Sequence, residues 1–232
     1  MSVEPAVGGD LEVRLARVAA DVGDAVRAAG RRPDEVTTIV VTKFHPAELV
    51  SRLYDLGVRD VGENRHQEAQ VKAADLSGLE GLRWHFVGQL QSKKARQARR
   101  YAAAVHSLDR ASVVDALAAD DGALVDGFVQ VNLTDDPGRG GVAPADVEAL
   151  AERIVSTPGL RLRGVMAVAP LDEPARPAFA RLRVISDRVR SIAPEAGDIS
   201  AGMSGDFAEA VAEGATHLRI GTAITGMRPP AR

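Results

Sequence analysis

A chain of 232 residues, 45 % of them hydrophobic, carries enough apolar side chains for one large α/β domain. Its 29 basic against 32 acidic residues leave a net charge of −3, which excludes a general attraction to nucleic acid or anionic lipid, and the absence of cysteine excludes disulfides and thiolate metal sites. No apolar run approaches the ~20 residues of a membrane span and no secretory signal opens the chain, so a cytoplasmic protein with no membrane partner is expected.

Residues 1–9 read as a disordered N-terminus and residues 10–232 as a single domain. Leu11, Leu15, Val18, Val22 and Val26 recur at steps of three and four, the apolar face of a helix. Asp10 is its expected N-cap, and Gly30 with Pro33 ends it. Strand-like and helix-like segments then alternate. TTIVVTK is followed by PAELVSRLYDLG, RDVGE by NRHQEAQVKAADL, LRWHFVG by SKKARQARRYA, and AAVHSLD by RASVVDALAADDG. DGFVQVNL is followed by PADVEALAERIVS, LRGVMAVAP by PARPAFARLRVISDRVRSI, and DISAG by SGDFAEAVAEG, with THLRIGTAI as the last strand. Strands separated by helices imply right-handed βαβ units and a parallel sheet. Eight such strands predict a single closed (β/α)8 TIM barrel, with the extra N-terminal helix capping or flanking it; an open doubly wound sheet is the competing arrangement. The loop DDPGRGG, residues 135–141, reads as the most mobile connection.

In a parallel barrel the C-terminal strand ends carry the chemistry. The first strand ends in Lys43, one of only four lysines in the chain. The other three, Lys72, Lys93 and Lys94, lie among polar residues at helical spacing and read as solvent-facing. Lys43 shares a strand face with Thr37, Ile39 and Val41. If that face lines the barrel, the amine is desolvated, and a desolvated amine is a better nucleophile towards a carbonyl. Otherwise the lysine reaches outward to a carboxylate such as Glu63.

At the second strand end Asn64 either caps the next helix or holds a ring substituent of a bound cofactor. His85, between Trp84 and Phe86, is either a ligand or base or a satisfied core histidine. The basic helix with Lys93, Lys94, Arg96, Arg99 and Arg100 has no interleaved aromatic residues and reads as a solvated face rather than a nucleic-acid site. Ser204, after the seventh strand, can cap a helix or help form an anion site. In the eighth strand Gly221 permits close backbone approach and Thr222 adds a hydroxyl, where barrels often bind phosphate. Arg219, on the same face as Gly221, is either a structural ion pair with an interior carboxylate or a donor aimed at a ring nitrogen. A lysine at one strand end and a phosphate cup at the last two suggest a phosphorylated aldehyde, and pyridoxal 5′-phosphate (PLP) fits.

The segments VTKFHP, DVGENRHQEAQ, LRWHFVGQLQSKK, VNLTDDPGRGG, LRGVMAVAP, SAGMSGDFAEAVAEGATHLRIGTAI and GMRP together resemble the pyridoxal phosphate homeostasis proteins, the YggS/PROSC group, over residues 37–228. The resemblance implies an alanine racemase N-terminal domain-like barrel. It implies a PLP imine at Lys43, phosphate contacts from Ser204, Gly221 and Thr222, Arg219 near the ring nitrogen, and further contacts from Met203 and Asn64. Asp136 and Arg139 stand where the family often has a glutamate and a lysine, and Thr225 where it often has an aromatic residue.

Two PLP functions share this barrel, beside a cofactor-free lysine aldolase that would use Lys43 but would not need Arg219 opposite a ring. The expected one is a non-catalytic PLP carrier and buffer, a monomer whose recipients are PLP-dependent apoenzymes, with no catalytic residue and no metal. The alternative is a PLP-dependent amino-acid racemase, which needs a second base such as a tyrosine. The only tyrosines, Tyr54 and Tyr101, are expected away from the strand ends.

Overall fold

The computed structural model describes residues 7–227. Helix α1 (Val7–Ala28) precedes strand β1 (Thr37–Val41). Then follow α2 (Ala47–Asp55), β2 (Asp60–Glu63), α3 (His66–Asp75), β3 (Arg83–Phe86), α4 (Ser92–Ala98), β4 (Ala102–Leu108), α5 (Ala111–Ala116) and β5 (Val125–Gln130). The chain continues through α6 (Val147–Val155), β6 (Leu160–Met166), α7 (Ala175–Ile192), β7 (Asp198–Ser200), α8 (Phe207–Ala212), β8 (His217–Ile220) and α9 (Thr222–Thr225). All neighbouring strands pair in parallel, in sequence order, and β8 returns to β1 through Thr37–His217, Ile39–Arg219 and Val40–Ile220. That last pairing makes the sheet a closed barrel and removes the open-sheet alternative.

Closure divides each strand into an inward and an outward row. Outward residues such as Val40, Val105, Val129, Val165 and Ile199 join the helix residues in one large apolar cluster. On α7 that cluster takes Phe179, Leu182, Ile185 and Val189, a stripe at steps of three and four. Inward residues are fewer and more polar: Gly62, His85, His106, Phe128, Met166, Ser200 and Arg219 all lie on the opposite parity. The side chains of Ala104, Phe128 and Met166 form a small separate apolar cluster there.

α1 flanks the barrel against α8 and α9 and buries Leu11, Val18, Val22 and Val26. It begins at Val7, so Asp10 is inside its first turn and pairs with Arg14 instead of capping the helix. The expected disorder therefore does not extend to residues 7–9, and residues 1–6 lie outside the described part. The end of the last predicted strand, TAI, coils into α9 instead, because β8 stops at Ile220 and Gly221 turns the chain. Among the described residues no helix is long and apolar enough to cross a membrane.

Candidate functional site

The predicted site residues converge. Asn64 follows β2, Lys43 lies in the turn just past β1, Gly221 and Thr222 follow β8, and Met203 and Ser204 follow β7. The strands β7, β8, β1 and β2 are consecutive around the barrel, so these residues form one arc of its C-terminal mouth. Arg219 lies just inside that arc, on β8.

Lys43 is half-buried, so the ammonium is less desolvated than an inward-facing strand residue would be. Its Nζ stands 5.8 Å from the centre of the Phe44 ring. Phe44 has φ 68°, the left-handed region that a bulky residue rarely enters, and this bend ends the strand's course at the mouth. Clamps hold the peptide on both sides. Thr42 N donates to Gly62 O at 2.9 Å, and Phe44 N donates to Glu68 Oε2 at 3.2 Å.

Glu63 is not a partner of Lys43. It has outward parity on β2 and faces the helix layer, where its Oε1 accepts from Lys72 Nζ and from Thr42 Oγ1, both at 2.6 Å. Lys72 also donates to Thr42 O at 3.0 Å. Its side chain is only 8 % exposed, so the expected solvent-facing lysine is a buried one. The error came from composition: polar neighbours along α3 hide that Lys72 turns inward towards β2. Burial pushes the Glu63 carboxyl up against the pull of Lys72, and its Oε2 has no hydrogen-bond partner.

For both Asn64 and Ser204 the helix-cap alternative is not the one realised. Arg65, not Asn64, holds the N-cap position of α3. Asp206, not Ser204, holds that of α8, and Asp206 Oδ1 accepts from Met203 N at 2.6 Å, which ties the loop back on itself. Asn64 is half-buried, whereas Met203, Ser204 and Thr222 are exposed. The loop glycines differ. Gly202 has φ 92°, and a Cβ there would stand 2.8 Å from the Ala210 Cβ, so packing demands glycine. At Gly221 a Cβ would meet nothing closer than Val41 at 3.6 Å, so packing alone makes no such demand.

Arg219 is buried, and it donates to two neutral acceptors: Nη1 to Ser200 Oγ at 2.7 Å and Nη2 to Ala167 O at 2.9 Å. Of the two readings of Arg219, the ion pair with an interior carboxylate is not the one formed: both bonds go to neutral acceptors. Burial lowers its pKa to about 10, with Asp206 acting against that through space, so the group stays a cation at neutral pH. His85 is buried as expected of a core histidine, but it is not alone. Its Nδ1 meets His106 Nε2 at 2.9 Å, and its Nε2 meets Asp60 Oδ1 at 2.8 Å. Sequence reading missed His106 and Ser200; the parity of AAVHSLD and DISAG about a closed barrel is the signal that would have found them.

A cavity of about 810 Å³ lies between the loops after β5 and β6 and is lined by Asp135, Asp136, Arg139, Leu171, Glu173 and Arg181. Asp136 Oδ1 accepts from Gly138 N at 2.8 Å, which folds this loop into a short turn. Among the described residues no cluster of three histidine or acidic side chains could hold a metal ion.

Residues 13–229 match the family described as alanine racemase, N-terminal domain. The pyridoxal phosphate homeostasis protein of Pseudomonas aeruginosa is 41 % identical over 92 % of this chain and 94 % of its own length. That of Mycobacterium tuberculosis is 38 % identical over 98 % of this chain and 96 % of its own. PipY of Synechococcus elongatus, solved with PLP bound, is 35 % identical, with a TM-score of 0.81 over 93 % of this chain and all of that one. Identity at this level over nearly the full length, on the same closed barrel, makes this chain a member of the pyridoxal phosphate homeostasis proteins, within the alanine racemase N-terminal domain family.

Proposed function

We propose that this protein binds PLP at the barrel mouth and buffers or delivers it within the cell, without turning over a substrate of its own. The observation that carries the reading is the arc itself: an amine at the end of β1 stands beside two loops, after β7 and β8, whose backbones can cradle an anion. PipY, similar over nearly the whole chain, binds PLP, which supports the same ligand here. The residues present fit it. Lys43 would supply the amine, and the loop Met203–Ser204 with Gly221 and Thr222 would hold the phosphate. Thr222 and Ala223 open α9, where helix N–H groups lack intrahelical partners. Gly221 has room that its own packing does not use. Asn64, just after β2, would hold a ring substituent. Arg219 offers a cation whose protein partners are neutral and so leave its charge uncompensated at short range. A fixed guanidinium opposite the ring nitrogen keeps that nitrogen unprotonated, because arginine does not surrender its proton. When bound, PLP supplies an aldehyde reactive towards amines, and a nitrogen held unprotonated weakens it as an electron sink, in keeping with storage rather than catalysis.

A racemase would need a second base at the mouth. The Tyr54 hydroxyl donates to Glu80 O at 2.9 Å, and the Tyr101 hydroxyl meets His66 Nδ1 at 3.2 Å, so both are engaged in the helix layer. The carrier is therefore the preferred reading, as a cytoplasmic monomer exchanging PLP with apoenzymes. Lys43→Ala is expected to remove the visible absorbance of the lysine-bound cofactor while the fold persists. Full absorbance in that variant would place the cofactor on another lysine. Incubation of the loaded protein with L- or D-alanine is expected to give no interconversion, and racemisation at ordinary enzymatic rates would overturn the carrier.

A further inference from the structure

The barrel interior contains a chain of buried hydrogen bonds that runs from its floor to its mouth. Asp60, the first residue of β2, is at the floor, where it also accepts from Arg83 Nη2 at 2.7 Å. From it the chain passes to His85 on β3 at 2.8 Å, to His106 on β4 at 2.9 Å, and to Ser200 on β7 at 2.8 Å. It ends at Arg219 on β8, 2.7 Å from Ser200 Oγ. Ser200 ends β7 and Ala167 directly follows β6, so the guanidinium they hold is level with the mouth.

The two ends of this chain limit its proton patterns to two. Arg219 can only donate, so Ser200 Oγ accepts from it. Asp60, held below the ordinary carboxylate range because hydrogen bonds from His85 and Arg83 outweigh its burial, can only accept, so His85 donates through Nε2. Burial keeps His106, stacked on Phe128 with ring centres 4.3 Å apart, well below the ordinary imidazole range and hence neutral. If His85 carries a single proton, one pattern satisfies every link. Ser200 donates to His106 Nδ1, His106 Nε2–H donates to His85 Nδ1, and His85 Nε2–H donates to Asp60. The competing pattern puts a second proton on His85 and a proton on His106 Nδ1.

We propose that Asp60, His85, His106 and Ser200 form a one-way hydrogen-bond relay that fixes Arg219 as a charged donor facing the cofactor ring, and that they are positioning residues of the site. A carboxylate placed directly beside Arg219 would saturate the guanidinium. The relay sets the counter-charge at the far end of the barrel and leaves the cation available at the mouth, while each neutral member is oriented by its neighbours. The part of the proposal that concerns the ring rests on the PLP reading above; the relay itself does not.

The test is nitrogen NMR on histidine- and arginine-labelled protein without cofactor, followed by PLP titration. In the wild type, His85 and His106 should each carry a single proton, on Nε2, and the Arg219 η protons should be resolved. In Ser200→Ala those η signals should collapse to an average, PLP affinity should fall roughly tenfold, and the absorption band should move. Asp60→Asn retains an acceptor for His85 while removing the charge, and should move the band in the same direction from a position remote from the ligand. A proton on Nδ1 of either histidine overturns the relay, as does an unchanged Arg219 spectrum in Ser200→Ala. The wild-type spectra decide the proton pattern even if that variant does not fold. Should the tautomers be as stated while the wild type fails to bind PLP, the cofactor reading fails and the relay stands.

Discussion

Lys43 and Lys72 flank the same peptide and lead opposite lives. Lys72 Nζ donates to the carbonyl of Thr42, and Lys43 is the next residue along. One amine is sealed in the layer between β2 and α3 against a carboxylate that is 1 % exposed; the other is half-buried in the open arc of the mouth. The difference follows from where the strand ends. Thr42 faces the helix layer and bonds Glu63, whereas Lys43 lies in the turn past β1 at the mouth, so adjacent positions meet unrelated chemistry. A committed lysine holds the scaffold, and the one at the end of the same peptide is the amine proposed above to take the ligand.

The sharpest way to break this comparison is to remove each amine in turn. Lys72→Ala leaves Glu63 as a buried, unpaired carboxylate and should cost ~3–5 kcal/mol in denaturant unfolding, whereas Lys43→Ala should cost under ~1 kcal/mol. Equal losses would mean that Lys43 is structural too. Replacing the pair together, as Glu63→Gln with Lys72→Met, should recover most of the loss, because no bare charge remains.

A second test contrasts the inner floor with the mouth through pH. His217 is held down to about 4 by burial, with Asp198 opposing that effect, while the unfolded chain titrates near the ordinary value of 6.5. The unfolded state therefore takes up the proton first. The stability contributed by neutral His217 is complete above about pH 6.5 and is lost as pH falls towards 4, on the order of 3 kcal/mol in all. Urea titrations between those limits check this, and a flat stability profile would show that His217 is not held neutral.

Two glycines sharpen the comparison at the smallest scale. Gly202→Ala meets both the left-handed backbone and the Ala210 Cβ at 2.8 Å, and should destabilise by about 1–3 kcal/mol. Gly221→Ala meets only ordinary contacts and should leave stability within roughly 1 kcal/mol, yet weaken PLP binding about tenfold by filling the space a phosphate would use. Undiminished binding in Gly221→Ala would move the phosphate away from β8.

Most of the architecture was legible in the residues. Short β-branched runs alternating with periodic apolar helices specify parallel βα units, and Lys43, Gly221 and Arg219 are conspicuous because a cation or a glycine at a strand end needs a reason. The helix termini were less legible. Asn64 and Ser204 are good capping residues, but Arg65 and Asp206 took the cap positions, since the loops set where each helix starts. The polar surroundings of Lys72 along the chain misled because they say nothing of what lies across the β2–α3 layer.

The amino-acid sequence by itself determined the order of strands and helices, the amine at the end of β1 and the glycine-bearing loops after β7 and β8, because local propensity and periodicity act over a few neighbouring residues. Only the tertiary structure decided that Glu63 belongs to Lys72, and that Asp60, His85, His106, Ser200 and Arg219 touch in series. Those contacts join residues far apart along the chain, and they exist only when closing β8 onto β1 turns one face of every strand towards a common axis.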